Sequence, residues 1–317
     1  MKVTILQSLG VNSKDIAAFR AKVLSKNYQV EIFDTLPESE DDAINRSKDS
    51  EVILLVNYPL SSKIISACPK LQMISVAFTG YDHVDLVECK KRNIIVCNTP
   101  GYATNSVAEL TFGLIFSVLR NIIPCNEIVR KGGTRQGLIG NELHGKTFGI
   151  IGTGAIGMQV ATIAKAFGCN LLGYNRTEKP EGAALGLKYV DLKTLVSQSD
   201  VISVHTPLSS QTKNLIDKTE FDLMKSSAIV IQTSRGGTIN EDAFADALNS
   251  GKIAGAGIDV FVQEPPLNQD NSLLKAKNTV LTPHVAFATK EALSRRANIA
   301  FANILLWIDG SVQNKVS

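Results

Sequence analysis

One glycine-rich junction constrains this chain more than any other stretch. The apolar run Phe148-Gly149-Ile150-Ile151 leads directly into Gly152-Thr153-Gly154-Ala155-Ile156-Gly157. Apolar residues then recur at Val160, Ile163, Ala164 and Phe167, which predicts a helix over 158–167. Asn170-Leu171-Leu172-Gly173-Tyr174 reads as the next strand. This strand–glycine–helix–strand order is the setting in which a G-x-G-x-x-G segment holds a dinucleotide. Gly152 permits the tight turn, Gly154 lets the backbone approach a pyrophosphate, and Gly157 lets helix and strand pack closely. The helix N-terminus adds unpaired N–H groups and the positive end of its dipole. Gly152, Gly154, Ala155, Ile156 and Gly157 are therefore candidate cofactor contacts, at the edge of a parallel α/β sheet.

The end of the second strand discriminates between the two nicotinamide dinucleotides. A carboxylate there would bind a ribose 2′-OH and repel a 2′-phosphate. This chain has Asn175-Arg176-Thr177, with no carboxylate before Glu178. An amide, a guanidinium and a hydroxyl suit a phosphate, to which Arg makes charge-assisted bonds. NADP(H) is thus expected in preference to NAD(H), with Asn175, Arg176 and Thr177 as its contacts. The competing reading makes Arg176 a solvated turn residue.

Downstream, strand-like runs end repeatedly on chemically capable residues. Val201-Ile202-Ser203-Val204-His205 precedes Thr206-Pro207-Leu208, and Ala228-Ile229-Val230-Ile231-Gln232 precedes Thr233-Ser234-Arg235-Gly236-Gly237. Ala254-Gly255-Ala256-Gly257-Ile258-Asp259-Val260 runs on towards Glu264-Pro265, and Thr279-Val280-Leu281-Thr282 ends at Pro283-His284. In an open parallel sheet these carboxyl ends share the edge where ligands bind. Arg235, Glu264 and His284 are expected to meet there.

These stretches resemble the D-isomer-specific 2-hydroxyacid dehydrogenase family. Thr79-Gly80-Tyr81-Asp82-His83-Val84-Asp85 and the segment from Asn98-Thr99-Pro100-Gly101 to Val107-Ala108-Glu109 resemble it too, so the likeness spans nearly the whole chain. It implies an enzyme that moves a hydride to or from a small 2-oxo or 2-hydroxy acid. Arg235 would grip the substrate carboxylate with its planar fork and polarise the neighbouring carbonyl. His284 would exchange the proton, and Glu264 would stabilise its imidazolium. The likeness also implies cofactor contacts at His205, Thr206, Pro207, Thr233, Ser234 and Asp259. Two of these keep a second reading: His205, like His144, as a structural histidine, and Asp259 as a residue that holds its own loop.

The 317-residue length suggests two domains at about 150 residues each. Strand runs near 3–6, 51–56, 73–77 and 94–97 make a small α/β unit of the first hundred residues. Ser106-Val107-Ala108-Glu109 reads as a capping box opening a long helix with Val107, Leu110, Leu114 and Val118 on one face. In the family such a helix joins the domains and contributes to dimer contacts, which implies a homodimer. A helical pattern over 289–309 is expected, by the likeness, to return to the first domain. The expected architecture is two Rossmann-like or flavodoxin-like parallel-sheet domains with a cleft between them. Residues 1–100 plus 288–317 would bind substrate, and 101–287 would bind dinucleotide.

A net charge of +3 without a basic cluster points away from nucleic acid, and no apolar run approaches the ~20 residues of a membrane span. Five scattered cysteines without CxxC spacing indicate reduced thiols in a cytoplasmic protein and no metal site. Phe78, Thr79 and Gly80 are expected to contact substrate together with Arg235 and His284. With no Arg or Lys between Lys70 and Lys90, glyoxylate, hydroxypyruvate or a modestly larger acid against Phe78 or Tyr102 suits the chain better than phosphoglycerate. D-3-phosphoglycerate dehydrogenase and a non-catalytic NAD(H)-sensing protein of the same fold remain the alternatives. Formate oxidation is disfavoured, because the family's formate enzymes resemble this pattern with Gln where Glu264 stands.

Overall fold

The computed structural model describes residues 1–264 and 266–317, so Pro265 of the Glu264-Pro265 pair lies outside the described residues. The chain forms two compact units, Met1–Ala103 with Ala288–Ser317, and Thr104–Phe287. In the first unit, β1 (Lys2–Ile5), β2 (Gln29–Ile32), β3 (Val52–Leu55), β4 (Met73–Val76) and β5 (Ile95–Cys97) form a parallel sheet ordered β2-β1-β3-β4-β5. Every residue of β3 and β4 is buried, as a strand covered on both faces requires. The connecting helices are α1 (Ser13–Leu24), α2 (Glu40–Ser47), α3 (Ser62–Ser66) and α4 (Leu86–Lys91). Asn12, Ser39, Ser61 and Asp85 cap them by accepting from first-turn N–H groups.

The chain's last helix, Lys290–Ile308, completes this unit from far along the sequence. Its buried stripe includes Ala297, Ala300, Phe301 and Ile304, at helical spacing, and Phe301 stacks on Phe19 with centroids 4.1 Å apart. The hydroxyl of Ser75 in β4 donates to Ala300 O, and Asn303 Nδ2 donates to Asn98 O. The helix is thus joined to the sheet by polar as well as apolar bonds.

The second unit opens with α5 (Thr104–Leu119) and α6 (Ile122–Arg130). The helix α5 begins ahead of the expected capping box. Ser106 lies inside it and is buried, so the S-x-x-E spacing marks an interior turn and not the start. Seven parallel strands follow: β6 (Thr147–Ile151), β7 (Asn170–Tyr174), β8 (Lys188–Tyr189), β9 (Val201–Val204), β10 (Ile229–Gln232), β11 (Gly255–Ile258) and β12 (Thr279–Leu281). Their order is β12-β11-β10-β9-β6-β7-β8, so the chain turns outward in opposite directions from β6 and β9. That reversal opens a crevice at the strand carboxyl ends. Helix α7 (Ala155–Ala166) follows β6, and α8 (Pro180–Leu185), α9 (Leu192–Gln198), α10 (Lys218–Leu223) and α11 (Glu241–Asn249) fill the later crossovers. The last helix, Lys290–Ile308, is α12. No single helix among the described residues is long and apolar enough to cross a membrane.

Candidate active site

The glycine junction lies at the β6/β9 crevice. Gly152 has φ +93°, and a Cβ there would come within 2.7 Å of His205 O on the neighbouring strand end. At Gly157 a Cβ would meet Gly152 O at 2.0 Å, so only glycine lets the first turn of α7 rest on the loop. Gly154, the N-cap of α7, differs: a Cβ there would meet no protein atom within 4 Å. Packing does not demand glycine at that position, whereas a phosphate approaching the backbone would. Among the described residues, buried His205 Nδ1 and Thr206 Oγ1 at the same edge lack hydrogen-bond partners. Open space beside a helix N-terminus and two unsatisfied polar atoms fit a dinucleotide.

His205 is held from its other nitrogen, with Nε2 2.8 Å from Ser203 Oγ. Burial disfavours its imidazolium and pushes its pKa down to about 3. At the end of β7, Asn175 is turned inward: Oδ1 accepts from Thr153 N at 3.4 Å, and Nδ2 donates to Thr177 O at 2.7 Å. Arg176 is exposed, and no hydrogen bond or ion pair engages its guanidinium among the described residues. Tyr189, outside any motif, joins this turn. Its hydroxyl donates to Thr153 Oγ1 and accepts from Lys179 N, each at 3.1 Å.

Strand register brings the three polar candidates to one edge. Gln232 pairs with Ile258 and Ile258 with Leu281, so β10, β11 and β12 finish side by side. Arg235 follows Gln232 in a turn braced by that residue: Gln232 Nε2 donates to Arg235 O at 2.9 Å, and Thr238 Oγ1 does the same. One guanidinium nitrogen of Arg235 donates to Ser234 O. Thr233 is anchored by its hydroxyl, 3.1 Å from Thr111 Oγ1 on α5.

His284 follows Pro283 with φ +55°, a left-handed conformation that costs a non-glycine residue about 1–3 kcal/mol. Asp259 supplies the compensation. It is fully buried, and its carboxylate accepts from Thr282 Oγ1 at 2.6 Å and from the N–H groups of Val285 and Ala286, both at 2.9 Å. His284 N donates to Asp259 O at 2.8 Å, so the whole 282–286 turn is hung on one residue. The imidazole is then oriented by Glu264, whose carboxylate lies 2.7 Å from Nδ1. Phe287 presents a perpendicular ring at 5.5 Å. With Nδ1 committed to Glu264, Nε2 is the atom left to exchange a proton. Gln232, Tyr189 and Phe287 carry no motif signal of their own; their roles arise from partners 2–36 residues away.

The family model described as D-isomer specific 2-hydroxyacid dehydrogenase, NAD binding domain, matches residues 112–286. The chain is 38% identical to the glyoxylate reductase of Thermococcus litoralis over 303 residues, covering 92% of this chain and 91% of that protein. Among solved structures, an acyclic imino acid reductase in complex with NADPH and D-Arg aligns at TM-score 0.89 and 30% identity, over 100% of both chains. The D-lactate dehydrogenase of Aquifex aeolicus complexed with NAD and lactic acid aligns at TM-score 0.85 and 29% identity, over 98% of this chain and 96% of that one.

Proposed function

Because the chain belongs to the D-isomer-specific 2-hydroxyacid dehydrogenase family, and is an oxidoreductase acting on a CH–OH group with a nicotinamide cofactor, we propose that it reduces a small unphosphorylated 2-oxo acid such as glyoxylate or hydroxypyruvate. The observation that carries this reading is the Glu264–His284 pair at 2.7 Å, beyond a strand end aligned with that preceding Arg235. When bound, the nicotinamide supplies or accepts the hydride at the carbonyl carbon. Arg235 holds the carboxylate and polarises the carbonyl, because a planar guanidinium matches two oxygens at once. His284 delivers a proton from Nε2 to the carbonyl oxygen during reduction and recovers it during oxidation. Glu264 holds Nδ1 at 2.7 Å and so orients the ring that gives up the proton. Asp259 keeps the 282–286 turn in the conformation that presents the imidazole. The Glu264–His284 pairing supports catalysis over a dinucleotide sensor.

We assign the substrate to the unit Met1–Ala103 with Ala288–Ser317, through Phe78, Thr79 and Gly80, and the dinucleotide to Thr104–Phe287. The dinucleotide contacts are Gly152, Gly154, Ala155, Ile156, Gly157, Asn175, Arg176, Thr177, His205, Thr206, Pro207, Thr233, Ser234 and Asp259. NADP(H) is the preferred form in this reading. The support is Arg176, exposed beside a strand end without a carboxylate, and the NADPH held by the acyclic imino acid reductase of similar structure. Phosphoglycerate is disfavoured because no Arg or Lys lies between Lys70 and Lys90, the stretch that contains the segment assigned to substrate. A homodimer is proposed on α6, which buries none of its residues and exposes Ile122, Ile123 and Val129, with Ile139 exposed nearby in sequence. Five free cysteines support a reducing, cytoplasmic setting.

Initial rates with glyoxylate, hydroxypyruvate, phosphohydroxypyruvate and pyruvate, each with NADPH and NADH, test this directly. Glyoxylate or hydroxypyruvate with NADPH should give the highest kcat/KM. His284→Ala should lose roughly 10²–10⁴-fold in kcat while still binding cofactor. Arg176→Ala should erase about a ten- to hundredfold NADPH advantage, the worth of a charge-assisted bond. Absence of turnover with all four acids overturns the reading, and an intrinsic NADH preference overturns the cofactor assignment alone.

A further inference from the structure

The backbone of segment 78–80 is fixed by the strand beside it. Thr99 N donates to Phe78 O at 3.0 Å, Asn98 Nδ2 to Thr79 O at 2.8 Å, and Thr79 Oγ1 to Thr99 O at 3.3 Å. The Phe78 side chain, only partly buried, packs against both apolar clusters of the first unit and against one further ring. Its ring lies against Tyr102, with centroids 6.0 Å apart and planes tilted by 54°. Tyr102 is itself 2% exposed and cannot serve as a substrate wall of its own.

Two successive arginines of α12 hold Tyr102. Arg295 Nε donates to its carbonyl at 3.0 Å. The Arg296 guanidinium stands 5.9 Å from the ring centroid and shares a side-chain hydrogen bond with it. Arg296 is 4% exposed, and its Nη2 donates to Leu9 O, in the loop after β1, at 2.8 Å. Burying a guanidinium is costly, and burial lowers its affinity for the proton. An apolar side chain would fill the same space more cheaply but would fix neither the Leu9 carbonyl nor the phenol. A guanidinium does both, because its donors fan out in one rigid plane.

We infer that Arg296 is a positioning residue for substrate selectivity: by locking Tyr102 it fixes the Phe78 ring, which limits the size of the group at C3 of the 2-oxo acid. This rests on the proposal that segment 78–80 meets the substrate. Arg296 is assigned no contact with substrate or cofactor.

The test compares wild type with Arg296→Met, Arg296→Lys, Tyr102→Phe and Phe78→Leu, using glyoxylate and the branched 2-oxoisocaproate as substrates. Cofactor affinity, followed by NADPH fluorescence, is the control. In Arg296→Met, cofactor affinity and the kcat for glyoxylate should stay within about twofold, while discrimination against 2-oxoisocaproate should weaken about tenfold, mainly through KM. Arg296→Lys should restore part of that discrimination. Tyr102→Phe, which keeps the ring and removes the phenol oxygen, should shift it in the same direction as Arg296→Met and carries the test if that variant does not fold. Unchanged selectivity in the Arg296 and Tyr102 variants, with a shift in Phe78→Leu, overturns the inference and leaves the substrate segment in place. No shift in any variant overturns both. A uniform loss that includes cofactor affinity shows a purely structural arginine and also overturns it.

Discussion

Acid should destabilise this protein through His205 in a way that a single substitution removes. The ring is buried at Nδ1, bonded at Nε2 to Ser203 Oγ, and its pKa is depressed to about 3. In the unfolded chain an ordinary histidine titrates near ~6.5. Between those two values the unfolded state binds one more proton than the folded state. Stability therefore falls as the pH drops from the unfolded pKa towards the folded one, at about 1.4 kcal/mol per pH unit at most. Integrated from pH ~6.5 down to pH ~4, the loss is about 3 kcal/mol, a large share of a typical folding free energy. His205→Phe keeps a planar ring and cannot take up the proton. It leaves Ser203 Oγ without that ring nitrogen, a cost that does not vary with pH. The readout is therefore the difference in slope between the two proteins and not their absolute stability. Urea unfolding of the cofactor-free chain, followed by far-ultraviolet circular dichroism across that pH range, should show the wild type losing about 3 kcal/mol more than the variant. The imidazole NMR signal that disappears in His205→Phe should remain unshifted in the wild type down to about pH 4. Parallel stability curves, or a midpoint near ~6.5 for that signal, would refute the reasoning.

Two substitutions probe the proposed catalytic set. Glu264→Gln removes the negative charge beside Nδ1 but leaves a side chain able to accept its hydrogen bond, so kcat for reduction should fall while cofactor affinity holds. Glu264 is half-exposed and solvent screens its charge, so the loss should be modest, on the order of tenfold; an unchanged kcat would remove it from the mechanism. Arg235→Lys preserves the charge and loses the two-point planar grip, so KM should rise and kcat should fall together, roughly ten- to hundredfold in kcat/KM; wild-type kcat/KM would eliminate the carboxylate clamp.

The sequence by itself determined the elements whose cause is local. A strand running into closely spaced glycines and then a helix is a short-range pattern, and it places Gly152, Gly154 and Gly157 at the β6–α7 junction. The likeness to a known family rests on the same local runs. Arg235 and His284 were legible because each stands just beyond a run of strand-forming residues, and in a parallel sheet such positions share an edge. Edges and interior turns were harder to read. The half-exposed β2 and two-residue β8 bury too little to leave a pattern, and the S-x-x-E at Ser106 looks the same inside a helix as at its start. Tertiary structure alone decided what depends on neighbours distant in sequence. The buried carboxylate of Asp259 is aimed at a turn 23–27 residues later because β11 and β12 lie side by side, and that aim allows His284 its left-handed backbone. Arg296 is one charge on a helical pattern until α12 packs against the first sheet and directs it 287 residues back to Leu9. Strand order and helix docking set these bonds, and the free energy of burying each polar group depends on partners that local residue patterns do not specify.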